Sequence, residues 1–211
     1  MNIIKRPFRY SYNNTVFVLI GANLLVYLAV YFLRGVPIIG LFSMNPLLVL
    51  HHGWVWQFFT YMFIHDPRSI THLLFNMLAL FIFGRQVEHQ MGSREFLLYY
   101  FLTGILAGFF SFLIYLITGE VWVRLMGASG AIFALQLAFA SFFPRSVIYI
   151  WGILPVKAPL MVLGFTGLGV FFMITGRGGN VAHVTHLAGF VFGWLYFLVR
   201  FGINPWQAMR R

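Results

Sequence analysis

The sequence predicts an all-α membrane protein, a bundle of six transmembrane helices. Two observations carry that reading. Hydrophobic residues make up 61% of the 211-residue chain and charged residues only 9%, whereas a soluble domain carries roughly a quarter charged residues. Six apolar runs are each near the roughly 20 residues that a helix needs to cross a bilayer.

The first span covers 15–33. Lys5, Arg6 and Arg9 before it imitate the start of a signal peptide. The run is too long for a signal core and no small-residue cleavage site follows, so it reads as a retained span. Residues 34–69 are broken by Gly35, Pro37, Gly40, Pro46, Gly53 and Pro67, and they carry Trp54, Trp56 and Tyr61. Such aromatics suit a membrane interface, so this is a long outer loop lying partly in that interface. Spans 70–87, 94–117, 127–143, 159–175 and 182–200 follow, giving one membrane domain over 1–211. No internal repeat or linker interrupts it.

The chain has no cysteine, which excludes disulfides and thiolate metal sites. The net charge is +10, but the basic residues are scattered between apolar runs. They mark topology and give no nucleic-acid footprint. With the N-terminus inside, Lys5, Arg6, Arg9, Arg85, Arg94, Arg145, Lys157, Arg200, Arg210 and Arg211 are cytoplasmic. Arg34, Arg68, Arg124 and Arg177 are outside, a split of 10 to 4. Both termini are therefore expected in the cytoplasm.

Parity then levels three polar clusters. Spans 2, 4 and 6 all run inward, and each carries its cluster near its start: His72 with Asn76, Ser129 in Gly127-Ala128-Ser129-Gly130, and His186 before Gly189 and Gly193. Polar groups at membrane depth are costly unless something there uses them. Gly130, Ala134 and Ala138 at four-residue spacing, with Gly127 and Ala131 beside them, let helix 4 approach a neighbour closely. His186, Gly189 and Gly193 share one helical face, so the closely packed face also carries the histidine.

A serine hydroxyl needs a base before it attacks, and imidazole is the usual one. Ser129 and His186 supply that pair. The four carboxylic acids, Asp66, Glu88, Glu95 and Glu120, all fall in loops or at the cytoplasmic side, so a Ser–His dyad without an acid is expected. The Ser129 N–H at a helix start, with His72 and Asn76 four apart on one face, supplies oxyanion donors. Phe133, one turn beyond Ser129, is placed to pack on the imidazole.

Taken singly, each cluster also has an ordinary reading as helix packing or hydrogen-bond glue. Their conjunction at one depth carries the chemistry. His51, His52 and His65 are expected to be solvated or interfacial, and His89 to contact headgroups. Glu88 is expected to pair with Arg85 or Arg94. His183, one turn before His186, has no His-Glu-x-x-His motif around it, so no metal or other cofactor is expected, and it reads as lining the entrance to the site.

These residues resemble the rhomboid family of intramembrane serine proteases over nearly the whole chain. The match comprises six spans, the long first outer loop with Phe59-Thr60-Tyr61-Met62-Phe63 through His65, His72-x-x-x-Asn76, Gly127-x-Ser129-Gly130 and His186-x-x-Gly189-x-x-x-Gly193. The resemblance implies a six-helix rhomboid bundle in a bacterial inner membrane. It implies Ser129 as nucleophile, His186 as general base, and an oxyanion site from the Ser129 N–H, His72 and Asn76. It further implies single-span membrane proteins as substrates, cut near the outer face, with lateral entry gated by helix 5 and the loop at about 176–182. The oligomeric state stays open.

The chain departs from the family pattern at Gln57, where Trp-Arg is common, at Asp66-Pro67-Arg68 in an often Gly-rich stretch, and at Phe133, where Tyr is common. Two rival classes follow from the same residues. One is a client-binding relative that does not cut, which should lack Ser129 or His186. The other is a small transporter, which should continue its polar path inward. Below Asn76 and Ser129 the helices are mainly apolar, with Gln136 and Ser141 the main exceptions.

Overall fold

The computed structural model describes residues 6–33, 35–150, 152–175 and 180–210. In chain order, α1 (Thr15–Phe32) leads into three short helices of the first loop, α2 (Ile38–Phe42), α3 (Pro46–His52) and α4 (Gln57–Thr60). Next come α5 (Ile70–Met91), α6 (Ser93–Thr118) and α7 (Ser129–Phe142). A hairpin of β1 (Val147–Ile150) and β2 (Leu154–Lys157) precedes α8 (Ala158–Thr175), α9 (Asn180–Tyr196) and α10 (Pro205–Met209). Lys5, Arg34, Arg177 and Arg211 of the charge pattern, and residues 176–179 of the expected gating loop, lie outside the described residues.

Among the described residues, five helices are long and apolar enough to cross a membrane: α1, α5, α6, α8, and α9 with its continuation to Phe201. The chain is a helical membrane bundle of the expected class. The fourth apolar run folds differently from the others. Its helix α7 has 14 residues, about 21 Å of rise, against about 39 Å for α6. Every residue of α7 except Ser129, Phe133 and Phe142 is buried. It is the central post of the bundle, packed by α5, α6, α8 and α9. In this setting helices satisfy their own backbone groups, and small residues at positions 130, 131, 134 and 138 bring the neighbours close.

The apolar stretch after α7 forms an antiparallel hairpin, with Val147 opposite Lys157 and Ile150 opposite Leu154. This hairpin is the one β-sheet among the described residues.

Two carboxyl groups organise the end of the bundle opposite Ser129. Glu88 does not pair with Arg85 or Arg94. It is fully buried and caps α1 from 72 and 73 residues away, accepting from Thr15 N at 2.7 Å, Thr15 Oγ1 at 2.8 Å and Val16 N at 3.0 Å, and it also accepts from Ser93 Oγ at 2.5 Å. The α1 N-cap residue Asn14 offers no side-chain cap of its own, so the orphan N–H groups of that helix end go to Glu88. Arg85 instead lies over the rings of Phe17 and Phe81. Glu95 on α6 binds Arg200 through two contacts of 2.7 and 2.9 Å, and also accepts from the Tyr196 hydroxyl and from Phe8 N.

The first loop is built around a neutral side chain. Gln57 is fully buried. Its Nε2 donates to the carbonyls of Gly40 and Leu41, both at 3.2 Å, and its Oε1 accepts from Asn45 N at 3.0 Å. Asn45 in turn caps α3 through Leu48 N and donates to Val123 O. Met44 and Leu125 exchange backbone hydrogen bonds of 3.1 and 2.9 Å, and Gly127 N donates to Tyr61 O at 2.9 Å. The first loop is thereby laced to residues 121–127, the segment that delivers the chain to Ser129.

Candidate active site

Ser129 is the first residue of α7, so its N–H falls outside the helical ladder. Gly127, just before it, has φ +105°, a region that favours glycine. A Cβ there would also stand 2.9 Å from Cε1 and Nε2 of His72. Gly127 thus serves both the turn into α7 and the close approach of the His72 ring.

α9 brings His186 to the same point. Its Nε2 lies 2.8 Å from Ser129 Oγ. The imidazole is stacked on Phe133, with ring centroids 4.1 Å apart and planes 8° from parallel. The approach of the two helices depends on Gly189, where a Cβ would land on the carbonyl oxygen of Gly130, and on Gly193, where it would meet Ala134 Cβ at 3.1 Å and the Tyr99 hydroxyl at 2.6 Å. That hydroxyl donates to Ala134 O at 2.6 Å. Gly130 itself faces Thr185 Cγ2 and Ala107 Cβ. Thr185, adjacent to His186, shares a 2.7 Å hydrogen bond with Ser111 of α6.

α5 contributes the remaining pair. Asn76 Nδ2 donates to His72 O at 2.7 Å, which leaves one amide proton, and Asn76 Oδ1 is buried without a partner among the described residues. Asn76, Ser129 and Phe133 line a common cavity of about 600 Å³ that continues between α5, α8 and the β1–β2 hairpin. The structure thus gathers Ser129, His186, Phe133, His72 and Asn76 into one cluster, three of whose members line this cavity. The four glycines singled out in the sequence are at the contacts that make this possible.

No carboxyl group of a described residue hydrogen-bonds His186. Glu88 and Glu95 are engaged at the far end, and Asp66 accepts from Arg68 N. His183 stacks on Phe172 with centroids 5.2 Å apart and stands edge-on to His186 at 6.3 Å.

The first loop supplies a residue that the sequence reading misplaced. His65 is neither solvated nor interfacial. It is fully buried, with its ring centroid 5.2 Å from that of His72. Burial, with the nearby His72 as a second cause, pushes it down to about 4, so it is held neutral. Its Nε2 has no partner among the described residues.

Comparison with known proteins places this arrangement. Residues 52–203 match the Rhomboid domain family. RHOMBOID-like protein 12, mitochondrial, of Arabidopsis thaliana is 29% identical over 57% of this chain and 40% of its own length. The putative rhomboid protease YdcA of Bacillus subtilis is 30% identical over 68% of this chain and 66% of its own length. The rhomboid protease GlpG of Salmonella newport is 30% identical over 33% of this chain and 29% of its own length. The chain therefore spans less than two thirds of each of these relatives. Because the family match runs over most of the chain and takes in α5, α7 and α9 with the whole Ser129 cluster, the protein belongs to the rhomboid family.

Proposed function

We propose that the protein is an intramembrane serine endopeptidase working through a Ser129–His186 dyad. The observation that carries this reading is the 2.8 Å contact between Ser129 Oγ and His186 Nε2, made by an imidazole already stacked on Phe133. Nucleophile and base stand within hydrogen-bond reach, and the base is oriented by a third group. Here that third group is an aromatic ring instead of a carboxylate.

In the proposed reaction, Ser129 Oγ attacks a peptide carbonyl carbon while its proton passes to His186 Nε2. Negative charge collects on the carbonyl oxygen, where the Ser129 N–H, the free Asn76 amide proton and the His72 ring offer donors. Collapse of the adduct breaks the C–N bond, and His186 returns the proton to the leaving amine. An acyl-enzyme on Ser129 remains. Water then attacks its ester carbon, with His186 taking the proton of that water and handing it to Ser129 Oγ.

The substrate class follows from the setting. The cavity opens between helices of a membrane bundle, so single-span membrane proteins are the natural candidates. An intact helix hides its carbonyls in hydrogen bonds, so cleavage requires a locally extended segment near the outer face. On the charge pattern, both termini lie in the cytoplasm, and a bacterial inner membrane is the proposed location.

The test is cleavage of a tagged single-span substrate in liposomes by wild type and Ser129→Ala. Cleavage by the wild type alone, insensitive to chelator, is the expected result. Equal cleavage by both removes Ser129 from the mechanism. Binding without cleavage by either favours a client-binding role.

A further inference from the structure

Two turns beyond Ser129, the same face of α7 carries a second polar group. Ser129, Ile132, Phe133 and Gln136 stand at i, i+3, i+4 and i+7, on one helical face, and all four line the 600 Å³ cavity. The surrounding wall is apolar, with Ile82, Ile148, Met161 and Phe165 among its residues. Into that wall α7 places a carboxamide. Gln136 is 6% exposed, and its Oε1 is buried without a hydrogen-bond partner among the described residues. Asn76 Oδ1, on the opposite wall, is in the same state.

Leaving a buried polar group unpaired is costly, and hydrocarbon supplies no water to relieve it. Ser141, the polar side chain further along this helix, avoids the cost, since its Oγ donates back to Leu137 O at 2.8 Å. A leucine or methionine would fill position 136 with no orphaned atom. The cavity next to Gln136 is where a partner can enter.

We infer that Gln136 is the specificity-determining residue of a side-chain pocket below Ser129, which takes a substrate residue bearing a hydroxyl or carboxamide. This rests on the peptidase reading of Ser129. Seven residues of helix place Gln136 about 10 Å from Ser129 along the axis. An extended chain advances about 3.3 Å per residue, so the selected residue lies within about three positions of the scissile bond. The terminal torsion of glutamine is broad and two-fold, so the amide presents its oxygen to a hydroxyl or its nitrogen to a carbonyl. Asn76 Oδ1 adds a second acceptor nearer the nucleophile. No charged side chain is among the described lining residues, so an ammonium or carboxylate would be desolvated without a counter-charge.

Threonine and valine have nearly the same shape and differ by a hydroxyl in place of a methyl. The experiment installs each in turn at the three positions on either side of the scissile bond of a liposome-reconstituted single-span substrate. It compares kcat/KM for wild type, Gln136→Met and Gln136→Leu, with thermal unfolding of each variant as the check on folding. At one position the wild type should favour threonine by about tenfold, the worth of one buried neutral hydrogen bond. Both variants should bring that ratio to about one or below. A wild-type ratio near one at every position overturns the assignment without any variant and leaves the peptidase reading intact. A ratio that persists in the folded variants overturns it too. Absence of any Ser129-dependent cleavage overturns both readings together.

Discussion

Gly189 of α9 faces the carbonyl oxygen of Gly130 of α7 so closely that there is no room between them for a methyl group. The neighbour in question is backbone, which cannot rotate away as a side chain would. The Ser129–His186 contact is made on the same two helices, by the residue before Gly130 and by the residue three positions before Gly189.

Gly189→Ala therefore should separate α7 from α9 and move His186 off Ser129. Overpacking of this kind costs about 1–3 kcal/mol. The expected result is a lowered unfolding temperature in detergent, with at least about a tenfold loss of labelling by a fluorophosphonate serine probe. Wild-type labelling in Gly189→Ala would show that the two helices have slack that the structure does not contain.

Phe133 offers a finer test of the same contact. It touches the imidazole face and no hydrogen bond is involved. A stacked ring pair contributes about 0.5–1.5 kcal/mol beyond its buried area. Phe133→Ala is expected to lower kcat by roughly three- to tenfold through a misoriented base, whereas Phe133→Tyr, which keeps the ring, stays near wild type. A Tyr variant as impaired as the Ala variant would mean that the stack does not orient His186.

His65 predicts a pH dependence of stability. In the folded protein burial holds it down to about 4, against an ordinary value of 6.5. Between those values the unfolded chain binds a proton that the folded chain does not, so stability falls as the pH drops through that window. It is unaffected by this group above 6.5. Two and a half units at 1.36 kcal/mol each amount to about 3 kcal/mol. Unfolding temperature measured from pH 7.5 to 4 should decline in wild type and decline less steeply in His65→Phe. Parallel curves for the two proteins would assign the acid sensitivity to other groups.

The sequence made the helical spans legible because a bilayer accepts little else, and it made the Ser129 cluster legible because polar groups stand out in apolar runs. Packing-dependent features were hidden. The apolar run over 127–143 does not announce that its helix starts only at Ser129, since that depends on the left-handed turn at Gly127. The hairpin at 147–157 is as apolar as the helices around it. Glu88 has its partners at Thr15, Val16 and Ser93, and the first two lie more than 70 residues away with no local signature. His65 stands beside the polar Asp66-Pro67-Arg68 stretch, and its burial goes with the tertiary lacing of the first loop by Gln57 and the Met44–Leu125 bridge. Gln57 stood out only as a departure from the common Trp-Arg, and its amide anchors the loop by three neutral hydrogen bonds.

Asn76 gives the sharpest separation of stability from chemistry. One of its amide protons holds His72 O at 2.7 Å, and the other is the donor proposed above for the oxyanion. Both roles end in Asn76→Ala. Losing one oxyanion donor costs roughly 10²–10³ in turnover, while losing one hydrogen bond from a side chain to a backbone carbonyl at the edge of a cavity costs about 1 kcal/mol of stability. Asn76→Ala is therefore expected to fold, to keep its serine reactive toward a small phosphonate within about tenfold, and to lose peptide turnover by two to three orders of magnitude. The measurement is kcat on a reconstituted substrate beside the unfolding temperature. Turnover at the wild-type rate would remove Asn76 from the oxyanion site and leave the His72 ring and the Ser129 N–H to hold that charge.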